Sequence, residues 1–238
     1  GKLTIATGQP AYEPWVMNDK PESGEGYEAA VAYAVADKLG FKKSDVVWTR
    51  TAFDTAIAPG AKDWDFNIQQ FGITDERKKA VDFSSSYYND SQSVVVKKDS
   101  KFANATKVSD LKDATVGVMV GTLAYDYAKA NIKDDIQTFN DDAALAQALD
   151  AGQIDVLVTS TVECVYMVQS EQVKDSKVLG RLPDSEDKSG MGIVLPKDSK
   201  LTAAVTKAVD DLNADGTIKK LQDKWLAEYT TDLTELKK

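Results

Sequence analysis

Arg77 closes the run Gly72-Ile73-Thr74-Asp75-Glu76-Arg77. A guanidinium is always charged, and its planar fork fits two carboxylate oxygens, best where water is excluded. Spacing alone leaves two readings open: a carboxylate receptor, or a surface ion pair with Asp82 or Glu76. Other reactive groups are scarce. There is no histidine, and the one cysteine is Cys164. These absences remove Ser-His-Asp triads, Cys-His dyads, the usual zinc ligand sets and any internal disulfide. With no histidine to activate it, Cys164 reads as a buried helix residue. No segment has the acidic spacing of a calcium loop, so neither a metal nor another cofactor is expected.

The elements that must position these groups alternate in type. Lys2–Thr7, Val46–Arg50 and Phe66–Gln70 read as strands, and Ser93–Lys97, Thr115–Val120, Ile154–Thr159 and Gly192–Leu195 as further ones. Tyr27, Ala30, Val31, Ala34, Val35 and Leu39 fall at helical spacing, and Gly40 follows where a C-terminal cap belongs. Helices are also expected at Phe53–Ile57, from Gly121-Thr122 through Tyr127, and at Ala143–Leu149, Thr161–Gln169, Leu201–Leu212 and Ile218–Trp225. Pro10, Pro14, Pro21, Gly24 and Gly26 mark a loop between the first strand and the first helix. This alternation predicts an α/β fold of parallel sheets with helices on both faces. Ligands of such sheets sit beyond the carboxyl ends of strands, which draws attention to the loops after Ala6, Gln70, Val120 and Thr159.

The chain has 238 residues, long enough for two α/β lobes. Its 29 basic and 38 acidic residues leave a net charge of −9. That balance argues against nucleic acid and against an anionic membrane surface as partners. No apolar stretch approaches the ~20 residues of a membrane span, so no direct membrane insertion is expected. The sequence opens Gly-Lys-Leu-Thr-Ile, already strand-like, as expected of a chain whose export signal or lipid anchor has been removed.

Six stretches in order resemble the polar amino-acid solute-binding proteins of ABC importers. They are Tyr12-Glu13-Pro14-Trp15; Gly26-Tyr27-Glu28-Ala29-Ala30-Val31; Gly72 to Arg77 with Val81-Asp82-Phe83-Ser84 and Tyr87-Tyr88; Leu111-Lys112-Asp113 through Val116-Gly117-Val118 and Gly121-Thr122; Ala151-Gly152-Gln153-Ile154-Asp155; and Asp215-Gly216-Thr217 with Trp225. Any one of these is weak, whereas the ordered set, spanning nearly the whole chain, is specific. The resemblance implies two Rossmann-like lobes joined by two crossing strands and closing on a ligand. It places residues 1–92 with 194–238 in the first lobe and 93–193 in the second, with hinges near Gln92 to Val94 and Met191 to Ile193. It implies a small carboxylate ligand of amino-acid type, a membrane permease as partner, and a periplasmic or extracellular location.

By the same resemblance Arg77 grips the ligand carboxylate, and Tyr12 and Phe53 stack on the ligand. Trp15 is either a third aromatic wall or lobe core. Gln69, Gln70 and Gly72 match contacts just before the arginine motif. Thr122 stands at a helix start, where backbone N–H groups meet an anion. Three positions depart from the family pattern. Gly72 and Leu123 replace hydroxyl residues, and Ser160 stands where an aspartate usually receives the ligand's α-ammonium. A buried ammonium needs an acid, so either another takes over or the ligand lacks that group. Glu163, one helical step beyond Ser160, is the nearest candidate, with Glu13 and Asp126 further options; its other reading is an exposed helix residue.

The expected function is therefore ligand binding with a specificity shifted from plain α-amino acids, by divergence or by engineering. Two alternatives stay open: a sensor or engineered binding domain, and an enzyme resembling cyclohexadienyl dehydratase with Glu163 as general acid.

Overall fold

The computed structural model describes residues 1–238 and divides the chain into two compact units. In chain order the first stretch contains β1 (Leu3–Thr7), α1 (Tyr27–Lys38), β2 (Val46–Arg50), α2 (Phe53–Ala56), β3 (Phe66–Asn67), α3 (Asp75–Lys78) and β4 (Val81–Tyr88). The middle stretch contains β5 (Gln92–Lys97), β6 (Val116–Met119), α4 (Leu123–Asn131), β7 (Ile136–Phe139), α5 (Asp142–Asp150), β8 (Val156–Ser160), α6 (Thr161–Gln169) and β9 (Ser176–Arg181). The chain ends through β10 (Met191–Pro196), α7 (Thr202–Ala214) and α8 (Thr217–Trp225), followed by a short turn of helix.

The first unit comprises Gly1–Asn89 and Lys188–Ala227. Its sheet runs β2-β1-β3-β10-β4, with β1 parallel to both neighbours and β10 antiparallel to β3 and β4. The N-terminus of α1 has no side-chain cap. Its free N–H groups are met instead by loop carbonyls: Tyr27 N–H donates to Pro14 at 2.9 Å and Glu28 N–H to Trp15 at 2.9 Å. Gly26 makes that approach possible, because its φ is 102° and a Cβ there would lie 2.5 Å from the Trp15 carbonyl oxygen. Behind the sheet, α1 buries Tyr27, Ala29, Val31, Ala32 and Val35.

The second unit comprises Asp90–Asp187 and Glu228–Lys238. Its sheet runs β7-β6-β8-β5-β9, parallel across β7, β6 and β8 and antiparallel around β5. Val94, Val96, Val116, Val118, Val156 and Val158 form one face of its core, and α5 and α6 cover the other with Leu145, Leu149, Cys164 and Met167.

The α/β character holds, but the sheets are mixed rather than parallel. Each contains a strand that reverses direction, β10 in one and β5 in the other. Several elements correct the expectations. Phe66–Gln70 is a strand for two residues only, because Gln70 turns to φ 50°. The strands β4, β7 and β9 have no strong alternation and pass unnoticed in the sequence. The C-terminal residues 228–238, expected with the first lobe, belong to the second unit: Leu236 N–H donates to Arg181 at 2.8 Å and Arg181 N–H to Thr234 at 2.7 Å.

Candidate functional site

In the first unit the chain leaves β3 and crosses to α3 through Ile68–Thr74. Glu28, fully buried in the first turn of α1, accepts the Gln70 backbone N–H at 2.9 Å, the Gln70 side-chain amide and the Tyr87 hydroxyl. Strand β10 and Gly190 just ahead of it hold the other end of the loop: Gly192 N–H donates to Phe71 at 3.0 Å and Ile73 N–H to Gly190 at 2.9 Å. Thr74 then caps α3, its hydroxyl accepting the Arg77 backbone N–H at 3.1 Å.

Arg77 is thereby set beside two fixed groups. Its Nη1 donates to the Gly72 carbonyl at 2.8 Å, and its guanidinium carbon lies 5.4 Å from the centre of the Phe53 ring. Phe53 in turn stacks on buried Phe71, with centroids 4.6 Å apart and a tilt of 30°. The two acids of the surface-pair reading also have partners of their own. Asp82 pairs with Lys197 at 3.5 Å and accepts the Thr202 hydroxyl at 2.7 Å, while Glu76 pairs with Lys79 at 3.0 Å.

The remaining first-unit candidates divide. Gln69 is half-buried and accepts the Thr51 hydroxyl at 3.4 Å. Tyr12 is 54% exposed, a large aromatic left on the loop after β1. Trp15 is only 3% exposed and meets Tyr27 and Tyr88 edge-on, within the unit's core. Glu13 accepts the Asn18 N–H at 3.1 Å within its own loop. Sequence reading passed over Arg50, which ties that loop down by donating to Gly8 at 2.9 Å and to Asp19 at 2.8 Å. The Arg50 guanidinium also holds the Asp19 carboxyl below its ordinary pKa, helped by the Ala11 N–H.

In the second unit Ser160 is the last residue of β8, paired with Gln92 of β5. That pairing brings Asp90, just ahead of β5, to the head of α6. Asp90 is buried and accepts the Ser91 N–H at 2.8 Å. Burial pushes its pKa up to about 7, against hydrogen bonds from Ser91, Val162 and Ser160 and the charge of Arg181. Glu163, in the first turn of α6, is half-buried rather than exposed. Burial first, and then the charges of Asp142 and Asp90, raise it to about 8. Asp142, in the first turn of α5, accepts the Thr159 hydroxyl at 3.4 Å. Burial and the neighbouring charge of Asp141 raise it to about 6.

Glu163 thus stands in the field of Asp142 and Asp90, where the sequence offered Glu163 with Glu13 and Asp126. Asp90 and Asp142 carried no motif; only the strand pairing and the two helix starts bring them to it. Thr122 caps α4, its hydroxyl accepting the Tyr125 N–H at 3.2 Å and donating to the Met119 carbonyl at 2.7 Å. Leu123 beside it is 42% exposed, and Asp126 points outward from the same helix. Cys164 is buried, and burial holds its thiol well above the ordinary range, which makes it unreactive. No helix is long and apolar enough to cross a membrane.

The first unit therefore carries a guanidinium braced on an aromatic ring. The second carries three carboxyls, Asp90, Asp142 and Glu163, that burial holds above the ordinary carboxylate range. Comparison with known proteins identifies the family. The profile of the bacterial extracellular solute-binding proteins, family 3, matches residues 3–228. An L-cystine-binding protein of Escherichia coli K12 is 29% identical over 223 residues, covering 92% of this chain and 81% of that protein. An ancestral arginine-binding protein, solved with arginine bound, superposes with a TM-score of 0.74 at 31% identity, covering 95% of this chain and 98% of that one. An ancestral amino-acid-binding protein described as a precursor of cyclohexadienyl dehydratase superposes with a TM-score of 0.71 at 30% identity, covering 94% and 95% of the two chains.

Proposed function

We propose, from the premise that this chain belongs to the bacterial extracellular solute-binding proteins of family 3, that it binds a free amino acid and releases it unchanged. The observation that carries this reading is Arg77, set between the Gly72 carbonyl and the Phe53 ring in a pose suited to a carboxylate. An amino acid also carries an ammonium, and the second unit offers Glu163, Asp142 and Asp90 in place of an acid at Ser160. Tyr12, Phe53, Gln69 and Gln70 are the further contacts proposed on the first unit, and Thr122, Leu123 and Ser160 those proposed on the second, each set taken by itself.

These raised carboxyls are partly protonated at neutral pH, and a ligand that displaced their protons would meet more than one negative charge. That favours a ligand with a second cationic group, as arginine has, and the arginine-bound ancestral protein supports the same class. The acceptor of the released ligand is a membrane permease of an ABC importer, and the chain works outside the cytoplasmic membrane. Thermal unfolding against L-arginine, L-lysine, L-cystine, L-glutamine, γ-aminobutyrate and amine-free acids tests the reading. Ligand at a hundred times its Kd adds ~2.7 kcal/mol of stability. A rise with amine-free acids alone would contradict the acidic receptor.

One observation favours a second reading. A carboxyl raised to about 8 is protonated at neutral pH, the state a general acid needs to expel a hydroxyl as water. The likeness to the dehydratase precursor points the same way. Conversion of prephenate to phenylpyruvate with release of carbon dioxide and water, lost in Glu163→Gln, would establish that enzyme; a flat assay leaves binding as the function.

A further inference from the structure

We propose that Glu28 is a positioning residue for the carboxylate grip, fixing the loop whose carbonyl orients Arg77. The inference rests on the reading of Arg77 as carboxylate receptor. Glu28 is a fully buried acid whose three hydrogen-bond donors are all neutral: the Gln70 N–H, the Gln70 side-chain amide and the Tyr87 hydroxyl. Placing a carboxyl there is costly, and burial raises its pKa. A residue held at such a cost asks what it fixes.

Two of the three donors belong to one residue. Gln70 has a φ of 50°, a left-handed conformation that a side-chain-bearing residue keeps only where its surroundings hold it. The Glu28 carboxyl grips Gln70 at both the backbone and the side chain, so it holds the turn itself. Two residues on, the Gly72 carbonyl leaves that turn and accepts Arg77 Nη1 at 2.8 Å. The path from Glu28 to the guanidinium therefore runs through Gln70 and Gly72. Gly192 of β10 and Gly190 just ahead of it fix the far end of the loop, so Glu28 governs the near end.

The carboxyl is not needed to dock α1. The helix start is held separately by Tyr27 and Glu28 N–H groups on Pro14 and Trp15, by the Tyr27 hydroxyl on the Tyr87 carbonyl, and by the packing of Trp15 on Tyr27. Tyr87 donates to the same carboxyl as Gln70 but lies in β4, outside the loop, which makes it the control.

The test compares wild type, Glu28→Gln and Tyr87→Phe, titrated calorimetrically with L-arginine and with L-argininamide, which lacks the carboxylate. Amide hydrogen exchange is recorded on the three unliganded proteins. The side chain of Glu28→Gln keeps its shape but turns a donor toward Gln70. Its preference for L-arginine over the amide is expected to shrink about tenfold, the scale of one lost charge-assisted hydrogen bond. Exchange should quicken at Gln70–Thr74 while α1 and β1 stay protected. Tyr87→Phe should lower stability yet keep the preference. The inference is overturned if Glu28→Gln keeps the full preference, if both ligands weaken equally, if Tyr87→Phe shifts the preference as far, or if exchange at Gln70–Thr74 does not change. A wild type that binds both ligands equally would instead overturn the carboxylate role of Arg77, and the inference with it.

Discussion

Arg77 and Phe53 stand 5.4 Å apart, guanidinium carbon to ring centre, and the same ring stacks on Phe71 in the core of the first unit. The arginine is thus braced on the hydrophobic core through one aromatic side chain. Replacing Phe53 with Leu keeps apolar bulk but removes the ring. Such ring contacts contribute ~0.5–1.5 kcal/mol, so affinity for L-arginine should fall about two- to tenfold by calorimetry. Unchanged affinity would show that Phe53 serves packing alone.

The acids of the second unit set a pH dependence. Asp142, Asp90 and Glu163 are raised to about 6, 7 and 8, above their unfolded values near 4. Folding therefore favours their neutral forms. That stability is full below about pH 4 and is lost as pH rises through about 6 to 8. The depressed carboxyls Asp19, Asp110, Asp150 and Asp215 act in the opposite sense, over a window below about 4. The unliganded melting temperature should fall between pH 5 and 9, and Glu163→Gln should flatten that fall. A cationic ligand should bind more tightly as pH rises through the same window and should release protons. Calorimetry in two buffers of different ionisation enthalpy reads the release; no buffer dependence would remove these acids from the site.

Thr122 illustrates a smaller, local term. Its hydroxyl caps α4, and Thr122→Ala removes that acceptor from the Tyr125 N–H. The expected loss is ~1 kcal/mol in urea unfolding, a shift of about 2–4 °C for a chain of this size. Thr122→Ser should restore most of it. A loss in both variants would point to the methyl group rather than the cap.

The sequence made some elements plain and hid others for physical reasons. Val46–Arg50 and Thr161–Gln169 are found with their expected bounds, because apolar period and punctuation agree there. The strands β7 and β9 are short sheet edges with weak alternation, so their identity comes from pairing and not from pattern. Within the site, the order of motifs pointed to Arg77. Glu28 stayed unread as a carboxyl of consequence, since a helical glutamate is ordinarily exposed and its partners Gln70 and Tyr87 are distant in sequence. Asp90 and Asp142 were hidden likewise, brought to Glu163 only by the register of β5 on β8 and by the start of α5. Trp15, an aromatic in a family-like motif, lies within the core of the first unit.

The most direct test of the central claim is thermal unfolding of wild type and Arg77→Ala at pH 7.5 with L-arginine, L-cystine and L-glutamine. At a hundred times Kd, one or more of these amino acids should raise the wild-type melting temperature by roughly 5–10 °C. None should shift Arg77→Ala, whose unliganded melt should stay close to wild type. A shift that survives in Arg77→Ala, or a wild type that responds to no amino acid, would contradict the account of Arg77 as the carboxylate receptor.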